Sequence, residues 1–167
     1  MMNKRLKQGS TFLLAVALTF PLLTLPGAKA ASAIDTDAEC SIQFDIGGNS
    51  ELLNDDVTVQ VNLYKVASVD VSGNYTATDA FTGLDLSSVS ADNLDTAAAT
   101  WEERAKEAQG KLTDSEGNTV VDPTETVTLQ NGRGYQDKLD TGLYLVDTPK
   151  VITTNYTYTF TPYLVSL

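Results

Sequence analysis

Apolar and polar residues alternate with a period of two along most of this chain. Cys40-Ser-Ile-Gln-Phe-Asp-Ile46 puts Cys40, Ile42, Phe44 and Ile46 on one face, as a half-buried strand requires. Gly47-Gly-Asn-Ser50 breaks that strand, and the alternation returns at Val57–Val66, with Val57, Val59, Val61 and Leu63 inward. Ser72-Gly-Asn74 then turns the chain into a short strand at Tyr75 that leads to Phe81. From Ser90 to about Gly110 the period changes. Leu94, Ala98, Trp101, Ala105 and Ala108 recur at helical spacing, and Leu112 continues the stripe. Ser90 or Asp92 can cap the start, Gly110 can close the end, and Glu102 can pair with Lys106 one turn on. The alanine-rich inner face predicts close packing on a sheet, with Trp101 as its one bulky anchor.

Strands resume after the helix. Asp114–Asn118 reads as a turn, Thr126–Gly132 as a strand running into a turn, and Tyr135–Leu139 leads into a strand at Gly142–Val146. Thr153–Leu167 is rich in β-branched and aromatic residues, and Pro162 marks a bulge or an edge. About seven strands with one helix among them predict an all-β fold: an immunoglobulin-like β-sandwich with an inserted amphipathic helix over residues 90–110.

The N-terminus follows a different pattern. Lys4, Arg5 and Lys7 precede an apolar run from Phe12 to Leu25, and Ala28-Lys-Ala30 supplies small residues at the cleavage-determining positions. Residues 1–30 therefore read as a secretory signal peptide cut between Ala30 and Ala31. A membrane-spanning helix is the alternative, but the run is too short and is interrupted by Pro21 and Pro26. Residues 31–38, small and acidic, read as a disordered linker, and residues 39–167 as one domain.

Cleavage changes the charge. Four of the 11 basic residues (Lys4, Arg5, Lys7 and Lys29) lie in the leader and all 22 acidic residues lie beyond it, which leaves 7 against 22, a net charge of −15. Such a surface repels nucleic-acid phosphates, so no DNA or RNA partner is expected. Cys40 is the single cysteine, so no intrachain disulfide forms, and Asp37-Ala-Glu39 ahead of it is unlike a lipidation motif. It reads as a small buried residue of the first strand.

Catalytic chemistry has little to work with. The chain has no histidine, so neither a Ser-His nor a Cys-His pair nor a His-ligated zinc can be built. No spacing singles out one pair of the 22 carboxylates for glycoside hydrolysis. No enzyme activity and no cofactor are expected. Asp114-Ser-Glu-Gly-Asn-Thr-Val-Val-Asp-Pro-Thr-Glu125 carries oxygen donors in a calcium-loop order. However, Thr119 stands where such a loop needs glycine, Pro123 intrudes, and a strand follows; a solvated acidic turn is expected. The aromatic set Tyr75, Trp101, Tyr135, Tyr156, Tyr158 and Tyr163 is read first as sheet packing. Within it, Tyr156 and Tyr158 are expected to share a solvent-facing strand face that could meet sugar or a following domain.

Several segments together resemble one family. Leu63-Tyr-Lys-Val66, then Gly73-Asn-Tyr-Thr76 and Phe81, an alanine-rich helix, Gly142-Leu-Tyr-Leu-Val146 and Pro162-Tyr-Leu-Val-Ser-Leu167 follow the order of a recurring domain. That domain is the N-terminal domain of sortase-assembled pilins and related cell-wall-anchored surface proteins of Gram-positive bacteria. The resemblance implies a transthyretin-like or immunoglobulin-like sandwich and an extracellular, non-catalytic structural and adhesive module. Its implied partners are other pilin or surface-protein subunits, a sortase for a full-length form, and a host protein or glycan. It also implies that a pilin-motif lysine, further domains and a Leu-Pro-x-Thr-Gly sorting signal follow. None occurs within the 167 residues, and the chain looks cut just ahead of them. Lys150, in Thr148-Pro-Lys-Val151, precedes the final strand where a pilin lysine would follow it.

Domains of this family often carry an internal isopeptide bond between a lysine and an asparagine or aspartate, promoted by a buried acid. The candidates here are Lys65, which by alternation shares the face of Val61 and Leu63, and Asp147, which shares parity with Leu143 and Leu145. Against the bond, the first strand has no lysine and the last has no asparagine after Asn155. A strand-end lysine reaching to water is the other reading of Lys65. A freely secreted domain that binds carbohydrate or host protein through its tyrosines is the alternative to the pilus module.

Overall fold

A computed structural model describes residues 10–12, 15–17, 33–54, 56–87, 89 and 98–167. The described residues fold mostly into antiparallel β-sheet with one α-helix, and the longest strand among them, Val59–Val69 (β4), organises the rest. One edge of β4 pairs with Leu143–Asp147 (β8), which pairs in turn with Tyr163–Ser166 (β11). The other edge is shared: Glu125–Leu129 (β6) lies against Val59–Leu63, and Tyr75–Ala77 (β5) lies against Ala67–Val69.

Both faces of this sheet are covered. On one face Val59, Val61, Leu63, Tyr144 and Val146 pack with Ile42, Phe44 and Leu139. These last come from Glu39–Asp45 (β3) and Arg133–Asp140 (β7), which pair antiparallel with each other. On the other face Tyr64, Val66, Ala67, Leu143 and Leu145 pack with Phe81, Leu84, Ala105 and Ala108. That is why Leu-Tyr-Leu-Val in β8 has no polar position: consecutive side chains enter opposite cores. A register shift between Lys65 and Ala67 lets Val66 and Ala67 enter the same core. Full burial of each such large side chain contributes about 1.5–3 kcal/mol.

The helix, Ala98–Gly110 (α1), lies on β8 and β11. Ala105 and Ala108 are fully buried, so the helix backbone approaches the sheet closely, and half-buried Trp101 packs at the margin. Glu102 and Lys106 form the expected ion pair at 2.6 Å, and Arg104, largely covered, pairs with Glu107. The chain leaves the helix through tight bonds from the Lys111 and Leu112 amides to Ala108 and Gln109. The proposed caps Ser90 and Asp92, and Leu94 of the stripe, lie outside the described residues.

Two turns share one construction. In Asp70-Val-Ser-Gly-Asn74 and in Asp114-Ser-Glu-Gly-Asn118 the first aspartate accepts the backbone N–H two and four residues on, and also the asparagine side-chain amide, at 2.8–3.0 Å. The glycine sits at φ +85° in both, a left-handed conformation that side chains disfavour. Asp114 thus serves as the hinge of a turn, as an acidic-turn reading expects.

Residues read as a disordered linker are fastened to the domain. The Ile34 amide donates to the Val71 carbonyl at 3.1 Å, and the Thr141 hydroxyl donates to the Thr36 carbonyl at 2.8 Å. Polarity alone suggested a free tail, but these backbone groups find partners at two strand ends. Inside the stretch read as a leader, Ser10–Phe12 (β1) runs parallel to Thr157–Phe160 (β10), and Ala15–Ala17 (β2) runs antiparallel to β3. β10 also pairs with Val151–Ile152 (β9). Among the described residues no helix is long and apolar enough to cross a membrane.

Candidate functional site

The bulge in β4 sends the Lys65 side chain towards the end of β7, where its ammonium donates to the Asp140 carboxylate at 2.8 Å. Gly142 leaves room for this path. A Cβ there would lie 2.5 Å from the Ala67 carbonyl oxygen and 3.2 Å from Lys65 Cε. The hydrogen bond from Lys65, and then its charge, hold the Asp140 carboxyl below the usual carboxylate range. The side chains of Lys65 and Asp140 are 24% and 79% exposed. An amide-forming site needs a desolvated, neutral amine, whereas water reaches this pair.

Lys65 and Asp147 are not brought together. Lys65 stands opposite Tyr144 in the ladder and Asp147 opposite Asn62, and the Asp147 carboxylate accepts the Gln109 amide of the helix at 2.6 Å. Parity along each strand was legible in the sequence, but the partner of Lys65 lies 75 residues away at the far end of β7.

Tyr144 forms a corner across the β7–β8 turn. Its buried phenol donates to the Asp140 carbonyl at 3.0 Å, four residues back. Burial first, and then the Asp140 charge, push that phenol up to about 12. Asp140-Thr-Gly-Leu-Tyr144 carries the signal for this corner in the sequence: glycine at the turn, and tyrosine two positions into the strand. Cys40 lies half-buried nearby, its thiol pushed up by burial and then by Asp140.

A second cluster forms on Glu51, which sequence reasoning did not single out. Its carboxylate accepts the hydroxyls of Thr153 and Tyr158 at 3.0 Å each and the Asn155 amide at 2.8 Å. These bonds, the one from Asn155 foremost, hold Glu51 below the usual carboxylate range. The cluster corrects the expectation for the tyrosines. Tyr158 is 4% exposed, while Tyr156 precedes the strand and is 43% exposed. The two rings touch at 6.0 Å between centroids but do not form an exposed aromatic stripe. Alternation gave them one face; the stabilising acid on the far loop decides that Tyr158 turns inward.

A cleft of about 540 Å³ opens between the helix end and the sheet, lined by Asn62, Tyr64, Lys106, Gln109, Thr119 and Asp147 among others. Burial, and then the Asp147 charge, raise the Tyr64 phenol. The cleft is polar and shallow, with its carboxylate already engaged by Gln109. Among the described residues no three acidic or cysteine side chains gather closely enough to hold a metal ion.

No family model, curated protein or solved structure matches the chain.

Proposed function

We propose that this chain is an extracellular, non-catalytic structural module: an immunoglobulin-like sandwich of pilin type, exported by its leader and displayed at the surface of a Gram-positive cell. The observation that carries the reading is the corner between Tyr144 and Asp140. A tyrosine at the start of a strand that bonds back to the backbone across the preceding turn is a device of Greek-key sandwiches. Two further observations support it. The sheet built on β4 and β8 faces a second pair of strands across one core and the helix across the other. The acidic groups of Glu51, Asp70, Asp114 and Asp147 are engaged in holding loops and the helix in place, as suits a scaffold. The partners proposed for such a module are other subunits of the surface assembly and a sortase that would join them covalently.

The test is expression of the gene with its leader in a Gram-positive host, followed by fractionation and intact-mass measurement. The proposal expects a chain beginning at Ala31 in the medium or wall fraction. A chain that stays in the cytosol with residues 1–30 attached overturns it.

A further inference from the structure

The two faces of β4 meet different surroundings. Val59, Val61 and Leu63 enter one core, while the alternate positions Gln60, Asn62 and Tyr64 run along the opposite face. Of these three, Tyr64 is buried with the helix-side core. Gln60 is exposed and Asn62 half-buried, and their ladder neighbours in β6, Thr128 and Thr126, are exposed as well. α1 lies on β8 and β11, and its last turn borders this row through Gln109 and Gly110 without covering it.

The uncovered part of the face is a groove. The cleft of about 540 Å³ at the helix end meets a second one of about 250 Å³, and Pro149 lines both. The chain at β4 forms one wall throughout, with Thr58 and Gln60 in the smaller cleft and Asn62 and Tyr64 in the larger. At the rise of an extended strand, the wall from residue 58 to residue 64 is about 20 Å long. The facing wall is the segment that leaves β8, from Asp147 to Ile152.

The lining decides the ligand class. Its polar side chains are chiefly primary amides and hydroxyls, and two of the amides are held in place. The Thr126 hydroxyl donates to the Asn62 side-chain carbonyl at 3.0 Å, and the Gln109 amide donates to Asp147 at 2.6 Å. A primary amide has two N–H donors and a carbonyl acceptor, so each keeps capacity for further bonds. A protein partner would find Ile152 as the one exposed large hydrophobic side chain of the groove, not a cluster of aromatic anchors. An anionic ligand would meet Asp56, Asp147 and the net negative charge of the chain, while Lys106 is already paired with Glu102. The geometry points to a binding groove for an uncharged oligosaccharide, which offers many hydroxyls, no charge and a length that can follow β4. Its hydroxyls bond with the amides of Gln60, Asn62 and Gln109, and its C–H faces rest on Pro149 and Ile152. The groove lies wholly within residues 56–152, so the inference stands on the fold and does not depend on export or surface assembly.

The test is an NMR titration of the full chain, isotopically labelled, with four uncharged probes: cellotetraose, maltotetraose, mannotetraose and tetra-N-acetylchitotetraose. A heparin tetrasaccharide serves as the anionic control. At least one uncharged probe should shift the side-chain amide signals of Asn62 and Gln109 to saturation, and heparin should not. Gln60→Ala and Asn62→Ala should each weaken that probe about tenfold, as the loss of one well-placed hydrogen bond does. Gln60 is exposed, so its variant keeps the test usable if Asn62→Ala fails to fold. Tyr135→Ala and Tyr156→Ala, at exposed tyrosines outside the groove, should leave the affinity unchanged. The inference is overturned if none of the four probes shifts the groove signals. It is equally overturned if the shifts centre on Tyr135 or Tyr156, or if heparin binds the groove more tightly than every uncharged probe.

Discussion

Glu51 and Tyr158 are 107 residues apart in the chain and meet in a hydrogen bond of 3.0 Å. With Thr153 and Asn155 on the same carboxylate, this contact fastens the loop after β3 to the hairpin that carries β10. The folded state holds the Glu51 pKa below its ordinary value, so the stability it adds is present above that value and is lost as pH falls through the depressed one. The wild-type chain should therefore melt at a higher temperature than Glu51→Gln at pH 7. The gap should close as pH is lowered from about 4.5. A gap that stays constant down to pH 3 would show that the carboxylate charge is irrelevant.

Gly142 carries a second expectation. A methyl group there meets the Ala67 carbonyl at 2.5 Å, in backbone of a neighbouring strand that cannot move aside. Gly142→Ala should cost about 1–3 kcal/mol, the range for forced overpacking. Gly48→Ala, with open space around it and no left-handed backbone, should be nearly silent. Chemical denaturation of the two variants side by side settles the matter.

The twin turns invite a double substitution. Gly73→Ala and Gly117→Ala each place a side chain in the left-handed region, at a cost of about 1–2 kcal/mol. The turns share no hydrogen-bond partner, so the double variant should lose the sum of the two. Strong non-additivity in urea denaturation would reveal a coupling between the turns that the geometry lacks.

Tyr144 and Tyr163 should respond in opposite ways to loss of the hydroxyl. Tyr144→Phe removes the bond to the Asp140 carbonyl and should destabilise by about 1 kcal/mol. The Tyr163 hydroxyl is buried with no hydrogen-bond partner, and burial raises its pKa well above the ordinary value. Tyr163→Phe should be neutral or stabilising. Wild-type stability from Tyr144 is complete below pH 10 and is lost as pH rises towards about 12, so Tyr144→Phe should unfold less steeply in that interval. Melting curves at pH 7 and across the alkaline range test both statements.

The Lys65–Asp140 pair should remain ionic. The intact mass of the chain should show no loss of water or ammonia, and Lys65→Met should shift stability by no more than about 1 kcal/mol. A mass lower by one water would place an amide bond where the geometry has an exposed ion pair.

Much of the fold was legible because alternation and helical spacing are local. Ile42, Phe44, Val59, Val61 and Leu63 face inward as their spacing dictates, and Ala105 and Ala108 lie against the sheet. What escaped depends on distant partners. Alternation assigns Tyr156 and Tyr158 to one face but does not reveal that Glu51 waits beneath Tyr158. It places Lys65 on the inner row but does not locate Asp140, which a bulge and a glycine bring within reach. The backbone ties of Ile34 and Thr36 leave no mark in side-chain polarity. Pairing of residues 10–12 with β10 and of residues 15–17 with β3 is equally invisible in a run that reads as a leader.

β8 belongs to both cores at once: Leu143 and Leu145 to one, Tyr144 and Val146 to the other. Loosening either core withdraws the strand that supports its neighbour. The helix is consequently not a separable unit, and secondary and tertiary signals should disappear together in a single cooperative transition.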